Sequence, residues 1–384
     1  MVVFFIGCFS GINTGNGGHY YSLLNLAKEI PVLYKIVVVG DFFPDVYKNK
    51  ENVDFIKISV NEVDKFNPKE DLMFFEPTII HAYDNNSAIF ANKTAAEFKI
   101  PLVVTKPGGG ALKVYSPVYK HMIVFHGEDF DLLSKRLLTK PKKLALIANR
   151  VSVPSKLAKN KRLNPFEGSG DDCIKLLRIS RIGKAYRDSI KQSIALLNRI
   201  QIKYGSDNVF LAIVGYVEDE AVLLEIEEIV KDCKNIKLFV TPEYCIEASE
   251  LIRYSDVVIG TGRSYMEGMS YGKFVFFPLK GSEIPCFTTE KNYNKAFHKN
   301  FSPRLSIHDG IDAEKALNVF FNYLDGKENP SFYKEWVIDV FNQNHEVKIG
   351  ASKLIDFYND LIPETNVSFY KQNAWFRLEK TISF

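Results

Sequence analysis

Short apolar runs alternate with stretches of helical spacing along almost the whole chain. The runs at 2–7 (VVFFIG), 35–40, 53–59, 78–84, 101–106, 122–127 and 144–149 predict strands. Between them stand patterns such as SAIFANKTAAEF and EDFDLLSKRLL, apolar at helical spacing. Strands apolar on both faces and separated by helices predict a parallel sheet covered on each side. The pattern then breaks at 155–172 (SKLAKNKRLNPFEGSGDD), a polar stretch with Pro165, Gly168 and Gly170 and no periodicity, which reads as a linker. Afterwards the alternation restarts with predicted strands at 174–180, 209–215, 236–240, 256–260 and 274–278. The last stretch is helical, through ALNVFFNYL, FYKEWVIDVF and GASKLIDFYNDL. Two doubly wound α/β domains are therefore expected, over 1–160 and 161–345, with a C-terminal helix and tail over 346–384.

Composition narrows the class. The chain has 384 residues, long for a single core, with 46% hydrophobic and 25% charged residues, as in ordinary globular proteins. No run is long and apolar enough to span a bilayer, and no secretory signal is visible at the N-terminus, so a cytoplasmic location is expected. The five cysteines are scattered, without metal-ligand spacing, and suit buried thiols. A net charge of +3 gives no reason to expect a nucleic-acid partner. Locally, Lys135 to Arg162 is rich in cations and has no acidic residue. A solvated face explains such a run, and so does contact with anionic lipid headgroups. The tail at 367–384 mixes Phe369, Tyr370, Trp375 and Phe376 with Lys371 and Arg377, which suits packing on the protein or resting on a bilayer.

Ligands in open parallel sheets bind beyond the carboxyl ends of strands, so the loops after the strands matter most. Gly17 and Gly18 fall where the first helix begins, and free N–H groups there favour an anion approaching closely. In LLRISRIGKAYRDSI, Arg181 and Lys184 follow a strand and Arg187 comes a turn later. Cations at a helix start oppose the helix dipole and call for a compensating anion, which a diphosphate would supply. In DVVIGTGRSYMEGMSYGKFVFFP, a tight loop follows the strand ending at Gly260. Ser264 is placed to cap the next helix, and Glu267 falls in its first turn, either as an ordinary first-turn acid or as an acceptor for paired hydroxyls.

These segments, taken with IIHAYDNNSAIFANKTAAEFKIPLVVT and LIANRV, fall in the order seen in glycosyltransferases of the GT-B fold. They look most like the family 4 group of nucleotide-sugar-dependent retaining enzymes, and the resemblance covers roughly Val2 to Leu361. It implies two Rossmann-like domains facing a cleft, with the C-terminal helix crossing back to the first. It implies that Glu267 holds the donor ribose and that Arg181 contacts the diphosphate, with Lys184 or Arg187 as the second cation. Gly17 and Gly18 would face donor phosphate and acceptor. The loop at 240–245, including Thr241, would cradle the base, and Gly262, Arg263 and Ser264 would hold phosphate or sugar. His81 follows the fourth strand, where the family often has a histidine near the sugar; such a histidine is as readily a satisfied core residue. His126 and Asp129, which also follow a strand, rank below it. The acceptor would meet His19, Tyr83, Gly108 and Gly109.

Two positions depart from the family pattern. Ile259 stands where a second glutamate is common, and TKPGGG offers three glycines where a histidine often stands. No D-x-D run stands where a divalent ion would be expected, and metal-independent transfer is expected, with the nucleotide sugar as co-substrate. The expected reaction moves a sugar, from a UDP-sugar by preference, to a hydroxyl of a glycan or lipid-linked glycan. The competing readings are a nucleotide-sugar epimerase or hydrolase on the same fold, and a binding module without catalysis.

Overall fold

The structure, a computed structural model, describes residues 1–9, 17–72, 76–113, 116–137, 139–153, 163–170 and 172–362. It divides into two compact units, one of residues 1–150 with 346–384 and one of residues 151–345. The division falls before the expected boundary at 160, which itself lies outside the described residues. So do Lys156, Lys159, Lys161, Arg162 and the aromatic and basic tail.

Unit 1 is built on a seven-stranded parallel sheet ordered β3-β2-β1-β4-β5-β6-β7. Its strands are β1 (Val2–Cys8), β2 (Tyr34–Gly40), β3 (Val53–Lys57), β4 (Ile79–Ala82), β5 (Leu102–Lys106), β6 (His121–Val124) and β7 (Lys143–Leu146). Helices α1 (Gly18–Glu29), α2 (Pro68–Asp71), α3 (Ser87–Phe98) and α4 (Gly127–Ser134) connect them. The period of two along β1 feeds two cores. Val2, Phe4 and Ile6 pack in one core with Leu23 and Leu24 of α1. Val3 and Phe5 pack in the other with Ala88, Phe90 and Ala91 of α3. A strand apolar on both faces is thereby buried on both faces, as its sequence predicts.

Unit 2 repeats the plan. Strands β8 (Ile174–Ile179), β9 (Val209–Val214), β10 (Ile236–Phe239), β11 (Val257–Ile259), β12 (Phe274–Phe277) and β13 (Cys286–Phe287) form one sheet, ordered β10-β9-β8-β11-β12-β13. All pairings are parallel except β12 with β13. The helices are α5 (Arg187–Tyr204), α6 (Glu220–Val230), α7 (Pro242–Cys245), α8 (Arg263–Ser270), α9 (Glu290–His298), α10 (Ala313–Leu324) and α11 (Pro330–Asn344). Side-chain caps begin several of them where the sequence changes from loop to helix: Asp219 for α6, Asp312 for α10 and Asn329, with Pro330 at the first position, for α11.

The chain then rejoins unit 1 through α12 (Val347–Asn359), whose Val347, Ala351, Leu354, Phe357 and Tyr358 belong to the core of α1 and β1. The helix comes so close to the segment after β7 that a Cβ on Gly350 would stand 2.1 Å from the Asn149 carbonyl oxygen.

Candidate functional site

Both sheets reverse their strand order once, between β1 and β4 and between β8 and β11. At such a point the loops leave in opposite directions and open a crevice at the carboxyl edge.

In unit 2, Arg181 lies just past the end of β8, and the loop at 260–262 lies just past the end of β11. The end of β8 and this loop are joined directly. Ser264 Oγ accepts from the Thr261 N–H at 3.2 Å and lies 3.2 Å from the carbonyls of Ile179 and Thr261, either of which can take its proton. Ser264 is therefore not the helix cap expected of it. The cap is Gly262, at φ 52° and ψ −114°, a conformation that disfavours any residue with a Cβ. Glu267 correspondingly lies in the second turn of α8 rather than the first. Its carboxylate is buried and paired to Arg263 at 2.6 Å, one helical turn away. Burial raises the Glu267 pKa, and the charge and hydrogen bond of Arg263 oppose that rise.

The cations after β8 each meet an acid of the segment that follows β9. Arg181 Nη1 donates to Glu218 Oε1 at 2.8 Å, while Nη2 donates to the Tyr186 hydroxyl at 3.0 Å and the guanidinium lies over that ring. Lys184 pairs with Asp219 at 3.3 Å. Arg187, the first residue of α5, lies 3.3 Å from Asp188 and 3.9 Å from Glu225. The compensating anion that these cations require is thus supplied in part by the protein. Lys184 is 84% exposed, and a pair at such a site is screened by solvent and worth little. Arg181, at 30%, is held better and is the first of the three along the chain after β8. Thr241 precedes α7 at the carboxyl end of the edge strand β10, beside Tyr244, whose ring lies 4.5 Å from that of Phe239.

In unit 1, Gly17 caps α1 and Gly18 is its first residue, with no side-chain cap hydrogen bond among the described residues and no acid in the first turn. The His19 ring lies 4.0 Å from that of Tyr20, tilted by 37° to it. After β5, Lys106 Nζ donates to the carbonyls of Pro107, Gly108 and Gly110, at 2.9, 3.0 and 3.1 Å, so the loop carrying Gly108 and Gly109 is wrapped around an ammonium group. Lys106 also lies 4.0 Å from the buried Asp129, which faces His126 at 3.1 Å.

Two expectations are corrected here. His81 is fully buried, with Nδ1 2.5 Å from the Tyr358 hydroxyl on α12 and Nε2 2.7 Å from Thr105 Oγ1. Burial pushes its pKa down to about 3. Both ring nitrogens are committed, so His81 is a joint between α12 and the sheet and not a catalytic group. Tyr83 is likewise fully buried, its ring 5.9 Å from Phe125, and presents nothing to an acceptor.

Three side chains escaped the sequence reading. Asp84, past β4, accepts the Gly7 N–H at 2.7 Å and the Ser87 N–H at 2.7 Å, and so locks the reversal point of unit 1. Glu218 carries Arg181. Arg178 lies inside β8, and the one signal was a cation in an otherwise apolar strand.

Chains of known structure share this fold across nearly their whole length. HepE of Anabaena, solved with UDP and glucose, superposes with a TM-score of 0.61 at 13% identity, over 94% of this chain and 100% of that one. The fold is GT-B. Trehalose-6-phosphate synthase OtsA matches this GT-B chain with a TM-score of 0.61 at 11% identity, over 93% of this chain and 98% of OtsA. The UDP-GlcNAc 2-epimerase of Neisseria meningitidis, bound to UDP-GlcNAc, matches with 0.51 at 14%, over 94% and 100%. No protein-family profile and no curated protein sequence matches the chain.

Proposed function

We propose that the protein is a glycosyltransferase that moves a sugar from a nucleoside diphosphate donor, UDP by preference, to a hydroxyl of a glycan or lipid-linked glycan. The observation that carries this reading is the placement of Arg181 and Glu267 past the adjacent ends of β8 and β11, where the strand order reverses. Glu267 would accept the ribose hydroxyls, and Arg181, with Lys184 or Arg187, would neutralise the departing diphosphate. The amides at Gly262 and Arg263 and those at Gly17 and Gly18 would add further donors, and Thr241 would stand near the base. His19, Gly108 and Gly109 are assigned to the acceptor. Two structural neighbours carry UDP or a UDP-sugar, which favours that base.

Stabilising a leaving diphosphate is an electrostatic task that cations and helix amides perform without a metal. Transfer with retention would let a leaving phosphate oxygen take the acceptor proton, so that no separate base is required. Ile259 keeps this part of the proposal separate from the donor site: it is a buried strand residue, not the second acid of the family pattern. Turnover of UDP-sugars with pooled glycan acceptors, undiminished by a chelator, is expected. Arg181→Ala should lower it about 100- to 1000-fold. Full turnover in that variant would remove Arg181 from its role.

The epimerase neighbour favours a second reading, acceptor-free conversion of the donor sugar. Product analysis of UDP-sugars incubated alone distinguishes the two, since transfer predicts no new sugar. Peripheral membrane contact belongs to the proposal as well. Lys135, Arg136, Lys140 and Lys142 flank Leu137 in the sequence, and Leu137 is 96% exposed. Co-sedimentation with anionic vesicles that falls as salt rises is expected, and no binding at low salt would contradict it.

A further inference from the structure

Arg178 has no exposed surface and is among the largest fully buried side chains of the protein. A guanidinium inside a sheet is costly unless acids or a full set of acceptors meet it. Nη1 donates to the Ile259 carbonyl at 3.3 Å and Nη2 to Ser189 Oγ at 2.6 Å, while Nε has no partner among the described residues. No carboxylate lies within ion-pairing distance of it among the described residues. Burial lowers its pKa to about 10, with the Tyr186 phenol, its titratable neighbour, acting the other way, so it stays cationic at neutral pH.

The neighbours of Arg178 are those that build the site. Ile259 ends β11 and leads into the loop of Arg263 and Glu267. Ser189, in the first turn of α5, passes its own proton to the Tyr186 carbonyl at 2.7 Å, and the Tyr186 hydroxyl accepts from Arg181. Ser189 also lines a cavity of about 620 Å³, together with Gln192, Leu279 and Ser282. One buried cation therefore links both sides of the reversal point and stands beneath the N-terminus of an 18-residue helix. That helix end carries positive partial charge of its own.

We infer that Arg178 is a positioning residue of an anion site at the carboxyl edge of β8 and β11, where a bound pyrophosphate group balances its charge. The inference rests on the nucleoside diphosphate reading above and names the buried group that gives that site its field. The residue does not touch the ligand; it acts through its charge and through Ile259 and Ser189.

Titration of inorganic pyrophosphate, UDP and uridine into wild type, Arg178→Gln and Arg178→Lys tests it. In Arg178→Gln the binding of pyrophosphate and UDP should weaken on the order of tenfold, as expected for loss of a nearby unit charge, while uridine binding holds. In Arg178→Lys the buried ammonium sheds its proton more readily than the guanidinium, so pyrophosphate binding relative to wild type should weaken between about pH 7 and 9. That profile carries the test alone if Arg178→Gln does not fold. A flat profile in the lysine variant overturns the inference, as does a parallel loss of uridine and UDP binding, because a purely structural residue would give either. Wild type that binds UDP and not pyrophosphate also overturns it. Wild type that transfers no sugar, yet binds pyrophosphate in an Arg178-dependent way, ends the transfer reading and supports the inference.

Discussion

His81 lies within β4, close to the strand end where sites lie in this architecture, and its ring is spent on the core. Its two hydrogen bonds, to Tyr358 and Thr105, are made inside the protein, where burial favours the neutral ring. The consequence is a pH dependence of stability. The unfolded chain binds a proton at His81 below about pH 6.5, whereas the native ring refuses it down to about 3. The unfolded state thus holds more protons in that window, and stability falls as pH drops through it, by about 1.4 kcal/mol per pH unit at most for this one group. Above the window the contribution is fully present. His81→Asn should unfold more easily at neutral pH and show a shallower acid slope between about pH 6.5 and 4. An unchanged slope in thermal unfolding across that range would contradict the assignment. At the same scale, Arg178 and Asp84 were hard to read from sequence because their roles depend on what faces them. A cation in IKLLRIS marks an anomaly, but only the fold brings Ile259 and Ser189 to it.

Elements were more legible than residues. All the strands expected from apolar runs appear, and the inner ones, such as β1, β4 and β9, are buried on both faces and leave an unbroken apolar signal. The two-residue β13 did not announce itself, since Cys286–Phe287 is too short to carry a period and pairs antiparallel at an edge. Local capping was misread at one place: Ser264 has the right chemistry for a cap, but the positive φ of Gly262 starts α8 two residues sooner. At the C-terminal helix, the glycine in GASKLIDFYNDL is a packing device. Gly350→Ala would drive a methyl group into the Asn149 carbonyl, and overpacking of this kind costs about 1–3 kcal/mol or more. Denaturant unfolding should report that loss in unit 1, to which α12 belongs. A stability equal to wild type would mean that α12 is not packed there as described.

For the whole molecule, the division into two units with one reversal point each was legible from the restart of the strand and helix alternation past the polar stretch at 155–172. The family resemblance pointed to GT-B, and solved structures at 11–14% identity share that fold along nearly their full length. What the pattern of residues did not carry is which cations are free to meet a ligand. Arg181, Lys184 and Arg187 all follow β8, but each meets an acid on the β9–α6 side, and only their burial ranks them. On the proposed reading, donor recognition would belong to unit 2, at the carboxyl edge of β8 and β11, and its strength would depend on Arg181 more than on the exposed Lys184. Calorimetric titration of UDP into wild type and Arg181→Ala tests this most directly. The account predicts saturable one-site binding to wild type and a loss of about tenfold or more in the variant, the magnitude of a charge-assisted contact. No binding of any nucleoside diphosphate to wild type, or equal affinity in both proteins, would contradict it.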